Sequence, residues 1–484
     1  MDTQAEDRLF TFHIQICILV QMWMSQAVEI ANAVRRGETS AVEVVDSHLQ
    51  RIAELNPKIN AVTQILADSA RHSAEDIDRR RAVGEKLGPL AGVPFTVKEN
   101  IDIAGVATTH GVPKFKDNIA VQDAPPVARL RSADAIPIGH ANMPDMTIGG
   151  YTTSQLYGET VNPWGTIRNP SGTSGGDGAA VAGGLAAIGL GNDSGGSVRG
   201  PALACGITAL NPTYGRIPSE HRIGGKDPML ASQLLPKDGP LARSIADLRV
   251  AFEVLAGTDP RDPRSVPVPV VGPVLPDPLR VAVVTDPAGM GVHPEVRQDV
   301  EQAADILERA GYAVERVSDV PPMAEAITAY LTMVSSEFSL TWPRLRALLT
   351  EKSAQHMELT MGSQPPPTLE QYLEATATRH AVVRDWAQFL EQYPLLVGPV
   401  TTDPTTDPPA GMELDAEQNA AMAVSVRLCS VTSFAGLPAV AVPTGTRRGV
   451  PAGVQIIGRP YREDLCLSAA AAIEAEVGVL TPVG

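Results

Sequence analysis

Two glycine-rich runs and one lysine upstream of them hold the side chains of this sequence that are best suited to chemistry. The first run is Ser171-Gly172-Thr173-Ser174-Gly175-Gly176-Asp177-Gly178. The second is Gly191-Asn192-Asp193-Ser194-Gly195-Gly196-Ser197-Val198-Arg199. The lysine is Lys98, within Gly92-Val93-Pro94-Phe95-Thr96-Val97-Lys98-Glu99-Asn100. Hydroxyls are potential nucleophiles, and a desolvated amine is a potential base. Glycines let backbone N–H groups come close to a developing anion. Together these groups can attack an amide carbonyl without a histidine.

Other readings compete for the same residues. Both runs can be tight turns with helix caps and no chemistry. Glycine runs also bind phosphate, but neither run ends in Gly-Lys-Ser/Thr or has Gly-x-Gly-x-x-Gly between a strand and a helix. Gly172-Thr173-Ser174-Gly175-Gly176 fits Gly-x-Ser-x-Gly, the elbow of α/β-hydrolases. That elbow needs a strand directly before it, and Pro163 and Pro170 break the preceding stretch. Lys98 can equally be a surface lysine paired with Glu99 or Asp102.

The elements that must position these residues read as α/β. Gln26 to Arg36 has helical periodicity and ends at Gly37. Ser40-Ala41-Val42-Glu43 is a capping box, and Asn56-Pro57 is the expected stop of the helix behind it. A further helix is expected over 69–81, strands over 90–97, 135–139 and 187–190, and a small-residue helix over 179–187. A strand at 279–284, a helix at 294–310 and a strand from 312 give β-α-β alternation. Residues 320–393 read as mostly helical. Strands at 394–400, 438–443 and 454–457 and a helix at 465–477 follow. The proline-rich stretch 259–278 is either a linker or a surface loop.

Composition bounds the partners. The chain has 484 residues, 44% of them hydrophobic, enough for a large core. Its net charge of −16 disfavours nucleic acid and anionic membranes, which need a basic face. Cys17, Cys205, Cys429 and Cys466 show no metal-ligand spacing. Reduced thiols and a cytoplasmic location are the expectation. The apolar stretch from Phe12 to Met24 is too short to span a bilayer. The acidic residues before it do not suit a signal peptide. Residues 1–23 are therefore expected to be an extra leader, and 24–484 the folded domain.

Taken in order, the motifs resemble the amidase signature family. Gly92 to Asn100 is similar to its lysine segment. Asn162-Pro163-Trp164 followed by Gly172 to Gly176 is similar to its first serine-glycine segment, and Asp193 to Arg199 to its nucleophile segment. Cys205-Gly206, Pro212 to Arg216, Gly239 to Arg243, Gly436-Leu437-Pro438 and Gly453 to Gly458 continue the pattern. The resemblance implies one α/β domain with a mixed central sheet covered by helices, and no metal or organic cofactor. It implies a serine amidohydrolase that cleaves a C–N amide bond through an acyl-enzyme.

By this resemblance Ser197 is the nucleophile, Lys98 the base and Thr173 the proton relay. The N–H groups of Ser194, Gly195 and Gly196 would form an oxyanion hole, with Asp193 and Arg199 in support. Thr173 is a departure, since the family has serine there, and its methyl group restricts χ1. Ser174 is the substitute relay. Asn192 and Asn211 are further departures, where the family tends to have threonine or serine, and lysine. A free lysine has a pKa of ~10.4, and burial lowers it by up to ~3–5 units. Val93, Pro94, Phe95 and Val97 supply apolar surroundings. The expected partners are a small-molecule amide and at most a second copy of the chain. Two alternatives stand beside this reading: a glutaminyl-tRNA amidotransferase A-type subunit, and a non-catalytic binding relative.

Overall fold

Strand residues alternate between two apolar clusters, and that alternation sets the architecture. Val281, Val283, Leu395 and Val397 pack in one cluster. Ala282, Val284 and Leu396, between or beside them, pack in another. A sheet with both faces apolar must be covered on both. The computed structural model describes residues 22–480 except 224–225, 319, 362–364 and 408–415.

In chain order the strands are β1 (Val62–Ile65), β2 (Pro94–Lys98), β3 (Ile136–Ala141), β4 (Thr153–Ser154), β5 (Gly158–Glu159), β6 (Ile188–Asp193), β7 (Thr208–Asn211), β8 (Lys237–Ala242), β9 (Arg280–Val283), β10 (Ala313–Arg316), β11 (Leu395–Pro399), β12 (Ala439–Arg447) and β13 (Val450–Gly458). β4 and β5 pair with each other. The rest form one 11-stranded sheet in the order β1-β3-β2-β6-β8-β7-β12-β13-β11-β9-β10. β2 runs parallel to β3 and β6, and β9 runs parallel to β10 and β11. The other pairings in the sheet are antiparallel. The expected single α/β domain with a mixed sheet is the architecture observed.

Several local expectations change. The helix Ala41–Ile59 runs through Pro57 and ends at Asn60 in the left-handed region. Pro57 lies in its last turn, and the Asn56 side chain accepts the N–H groups of Ala61 and Val62. The small-residue helix begins at Gly175 and ends at Ala182, earlier than expected. Its glycines are required by close packing, since a Cβ on Gly176 would lie 2.4 Å from Asn142 N. β1, β4, β5, β7 and β8 lie outside the expected strands.

Residues 259–278 hold no helix or strand. The Arg216 guanidinium donates to the carbonyls of Val268 and Pro269, which ties this excursion to the domain. Of the expected leader, residues 1–21 lie outside the described residues. Met22–Met24 form a short 3-10 helix, and the Arg51 guanidinium lies 4.1 Å from the Trp23 ring. The boundary expected at residue 23 therefore falls inside a docked turn. Among the described residues no helix is long and apolar enough to cross a membrane.

Candidate active site

β2 and β6 lie side by side, and their ends carry the lysine and the second glycine run. On β2, Phe95 and Val97 join the main apolar cluster, so Thr96 and Lys98 face the opposite side. There Thr96 Oγ1 donates to Asp177 Oδ1 at 2.8 Å. Lys98 is fully buried. Its Nζ lies 2.5 Å from Thr173 Oγ1 and 2.7 Å from Asn192 Oδ1. Neither partner is a carboxylate. Burial pushes the Lys98 amine down to about 7, against the pull of Asp177, Asp193 and Asp238.

The surface-lysine reading fails on geometry. Glu99 points elsewhere, accepting from Thr63 Oγ1, Gln64 Nε2 and Thr109 Oγ1 at 2.8, 2.7 and 2.6 Å. Asp102 accepts from Thr108 Oγ1.

Thr173 and Ser174 have different surroundings. Thr173 is buried and meets Lys98. Ser174 turns its hydroxyl to the Asn192 carbonyl at 3.3 Å. Its N–H donates to the Ser197 carbonyl at 3.1 Å, which sets Ser197 beside the Thr173 segment. Ser197 is half-buried, and its hydroxyl makes no hydrogen bond among the described residues. The structure thus brings Lys98 and Thr173 into contact and leaves the Ser197 hydroxyl uncommitted.

The loop before Ser197 is held by a buried ion pair. Asp193 Oδ1 accepts the Gly196 N–H at 2.7 Å, and Oδ2 accepts the Val198 N–H at 3.2 Å. Arg199 grips the same carboxylate through Nε at 3.0 Å and Nη2 at 2.9 Å. It also reaches Gln455 Oε1 at 2.8 Å and Ser433 Oγ at 3.0 Å. Burial alone would raise the Asp193 carboxyl. The Arg199 charge and hydrogen bonds, with Lys237, outweigh that and hold it well below the usual carboxylate range. Asp193 and Arg199, expected as supporting residues, meet each other at this loop.

One expected donor is spent. Gly196 has its N–H on Asp193, so it is not free to meet an oxyanion. The N–H groups of Ser194, Gly195 and Ser197 have no acceptor among the described residues. Gly196 has φ +121, and a Cβ there would sit 3.2 Å from the Cβ of Cys429. Only glycine suits that position. Beside Gly195, Tyr330 and Ser430 set their hydroxyls 3.2 and 3.4 Å from where a Cβ would stand. Tyr330 meets Phe434 edge to face, with centroids 6.2 Å apart.

Sequence reasoning missed some of this site. It marked Asn192 only as a departure, whereas Asn192 contacts Lys98. It passed over Lys237, which is paired with Asp193 across β6 and β8 and donates to the Ser433 carbonyl at 3.3 Å. Burial pushes Lys237 down to about 7 as well. A lysine beside an aspartate in Pro236-Lys237-Asp238 carries no sign of burial. No cluster of side chains suited to a metal ion occurs among the described residues.

Known proteins share this arrangement of chain. A family model described as Amidase matches residues 43–467. An indoleacetamide hydrolase of Bradyrhizobium diazoefficiens is 40% identical over 460 residues, covering 95% of this chain and 88% of that protein. A glutamyl-tRNA(Gln) amidotransferase A-type subunit of a Roseiflexus species is 34% identical over 478 residues, covering 93% of this chain and 95% of that one. A solved structure of 6-aminohexanoate cyclic dimer hydrolase complexed with substrate is 27% identical, with a TM-score of 0.81 over 96% of this chain and 99% of that one.

Proposed function

The chain belongs to the amidase signature family and is an amide-hydrolysing enzyme, and from that premise we propose that Ser197 is its nucleophile, Lys98 its base and Thr173 its proton relay. The observation that carries this reading is the contact of a fully buried lysine with a hydroxyl, Lys98 Nζ to Thr173 Oγ1 at 2.5 Å. A desolvated amine with no carboxylate in contact favours its neutral form. Neutral Lys98 takes the Thr173 proton, and Thr173 takes the proton of Ser197. The Ser197 hydroxyl is uncommitted, and a bond rotation with substrate bound closes the last link. Catalytic hydrogen bonds are often open in an unliganded site.

Ser197 Oγ then bonds to the carbonyl carbon. The oxygen becomes anionic and meets the free N–H groups of Ser194, Gly195 and Ser197. One such donor is worth ~3–4 kcal/mol in the transition state. The proton held on the relay passes to the departing nitrogen, which leaves poorly as an anion. Water then attacks the acyl-enzyme, giving its proton to the same relay and releasing the acid.

The favoured substrates are primary amides with an aromatic acyl group. Tyr330 lies beside Gly195, backed by the buried Phe434, and the 40% identical relative is an indoleacetamide hydrolase. The test is turnover of an amide panel by the purified chain alone, with fluorophosphonate labelling followed by peptide mapping. Label on Ser197, loss of turnover in folded Ser197→Ala and activity without other protein chains are the expected results. A folded Ser197→Ala that keeps substantial activity overturns the assignment. Turnover that requires added amidotransferase components favours the amidotransferase reading.

A further inference from the structure

The two partners of Lys98 Nζ are chemically unlike. Thr173 presents a hydroxyl, which donates or accepts. Asn192 presents Oδ1, which only accepts. The amide is held in that sense from its other end. Asn192 Nδ2 donates to Asn100 Oδ1 at 3.0 Å. Pairing of β6 with β8 sets Asn192 across from the buried Asp238. The neighbour at the nitrogen end is an oxygen, so flipping the Asn192 amide alone would set oxygen against oxygen.

A neutral primary amine has two N–H bonds and one lone pair. Asn192 Oδ1 occupies one N–H and has no proton to place on the lone pair. A serine or threonine hydroxyl, the residue types the family tends to carry at this point, can donate into the lone pair and compete with Thr173. The asparagine removes that competition. We propose that Asn192 is a positioning residue for the reaction: it holds one N–H of Lys98, and so reserves the amine lone pair for Thr173.

This inference rests on Lys98 being the base. The charged groups facing Lys98 are Asp177 from the helix Gly175–Ala182, Asp193 at the end of β6 and Asp238 on β8. Behind Asp238, His221 Nε2 lies 3.5 Å from its Oδ1. None of the three carboxylates forms an ion pair with Nζ among the described residues, whereas Asn192 is in direct contact. A charge placed at 192 therefore acts on the amine more strongly than those already present.

The experiment is the pH dependence of kcat/KM on an activated ester, with the full chain and its Asn192→Asp, Asn192→Thr, Asp238→Asn and Lys98→Ala variants. Asn192→Asp sets a carboxylate against the ammonium and should move the rising limb up by at least about one pH unit. Asn192→Thr should lower kcat several-fold with KM held, because the hydroxyl competes for the lone pair. Asp238→Asn removes a more distant negative charge and should move the limb down by less; it serves where Asn192→Asp fails to fold. A limb that stays in place in folded Asn192→Asp, or an Asn192→Thr enzyme with wild-type kcat, overturns the role of Asn192. A limb that persists in Lys98→Ala overturns Lys98 as the base, a separate failure.

Discussion

Two fully buried basic side chains near the 193–199 loop receive opposite treatment. Arg199 is saturated: Asp193, Gln455, Ser433 and the Cys429 carbonyl all accept from it. Lys98 has a hydroxyl and an amide oxygen, and no carboxylate in contact among the described residues. A guanidinium stays charged whatever surrounds it, so it must be compensated. An amine can give up its proton instead, and burial makes it do so. The fold spends compensated charge on holding residues 193–199 in one shape. It leaves the lysine uncompensated, at the place where a base is proposed. Lys237 refines the contrast. It too is buried and lowered to about 7, yet its contact is a backbone carbonyl. A lowered amine is common to both lysines; contact with a hydroxyl sets Lys98 apart and is what the proposed role rests on.

The sharpest way to break the contrast is to leave Arg199 uncompensated. Asp193→Asn strands a buried guanidinium, and losing one partner of such a pair costs about 3–5 kcal/mol. Activity should vanish with it, since one of the two oxygens that accept from Gly196, Val198 and Arg199 becomes an NH2 donor. The check is denaturant unfolding beside turnover; wild-type stability in the variant would show that the pair does not hold the loop.

Thr173→Ala should cost kcat about two to four orders of magnitude, the size of a proton-transfer contribution, with little change in stability. Thr173→Ser should keep most of the activity. If Thr173→Ala is near wild type while Ser174→Ala is not, the relay belongs to Ser174, against the hydrogen bonds seen for both.

Lys98 also sets a pH-dependent stability of unusual sign. Its folded pKa, about 7, lies below the unfolded value. Between the two values the unfolded chain binds more protons, so this group makes stability rise with pH through that window. Lys98→Met should therefore be more stable than wild type at neutral pH. The gain should shrink as pH rises toward the ordinary lysine value. Paired unfolding curves across that window test it, and a gain independent of pH would mean that Lys98 stays charged in the folded chain throughout.

The fold class and the proposed catalytic trio were legible in the sequence. The order of motifs placed Lys98 at the end of a strand and Ser197 after another. Two kinds of feature were hidden. The first comes from close packing: Gly175, Gly176 and Gly178 are poor helix formers, yet they begin a helix because Gly176 packs against the backbone at Asn142. β8 was obscured in the same way, by Gly239 and Pro240. The second depends on which side chains the sheet brings together. Nothing local in Gly191-Asn192-Asp193 shows that the amide reaches Lys98, or that Gly196 gives its N–H to Asp193.

The most direct test of Lys98 as a neutral base is the pH dependence of kcat/KM on a matched amide and activated ester, in wild type and Lys98→Ala. In wild type both substrates should show a rising limb through one ionisation near 7. In Lys98→Ala the limb should disappear, and the amide should lose more than the ester, because a good leaving group needs less protonation. Equal losses on both substrates with the limb still in place would contradict it, and would make Lys98 a structural residue with the base elsewhere.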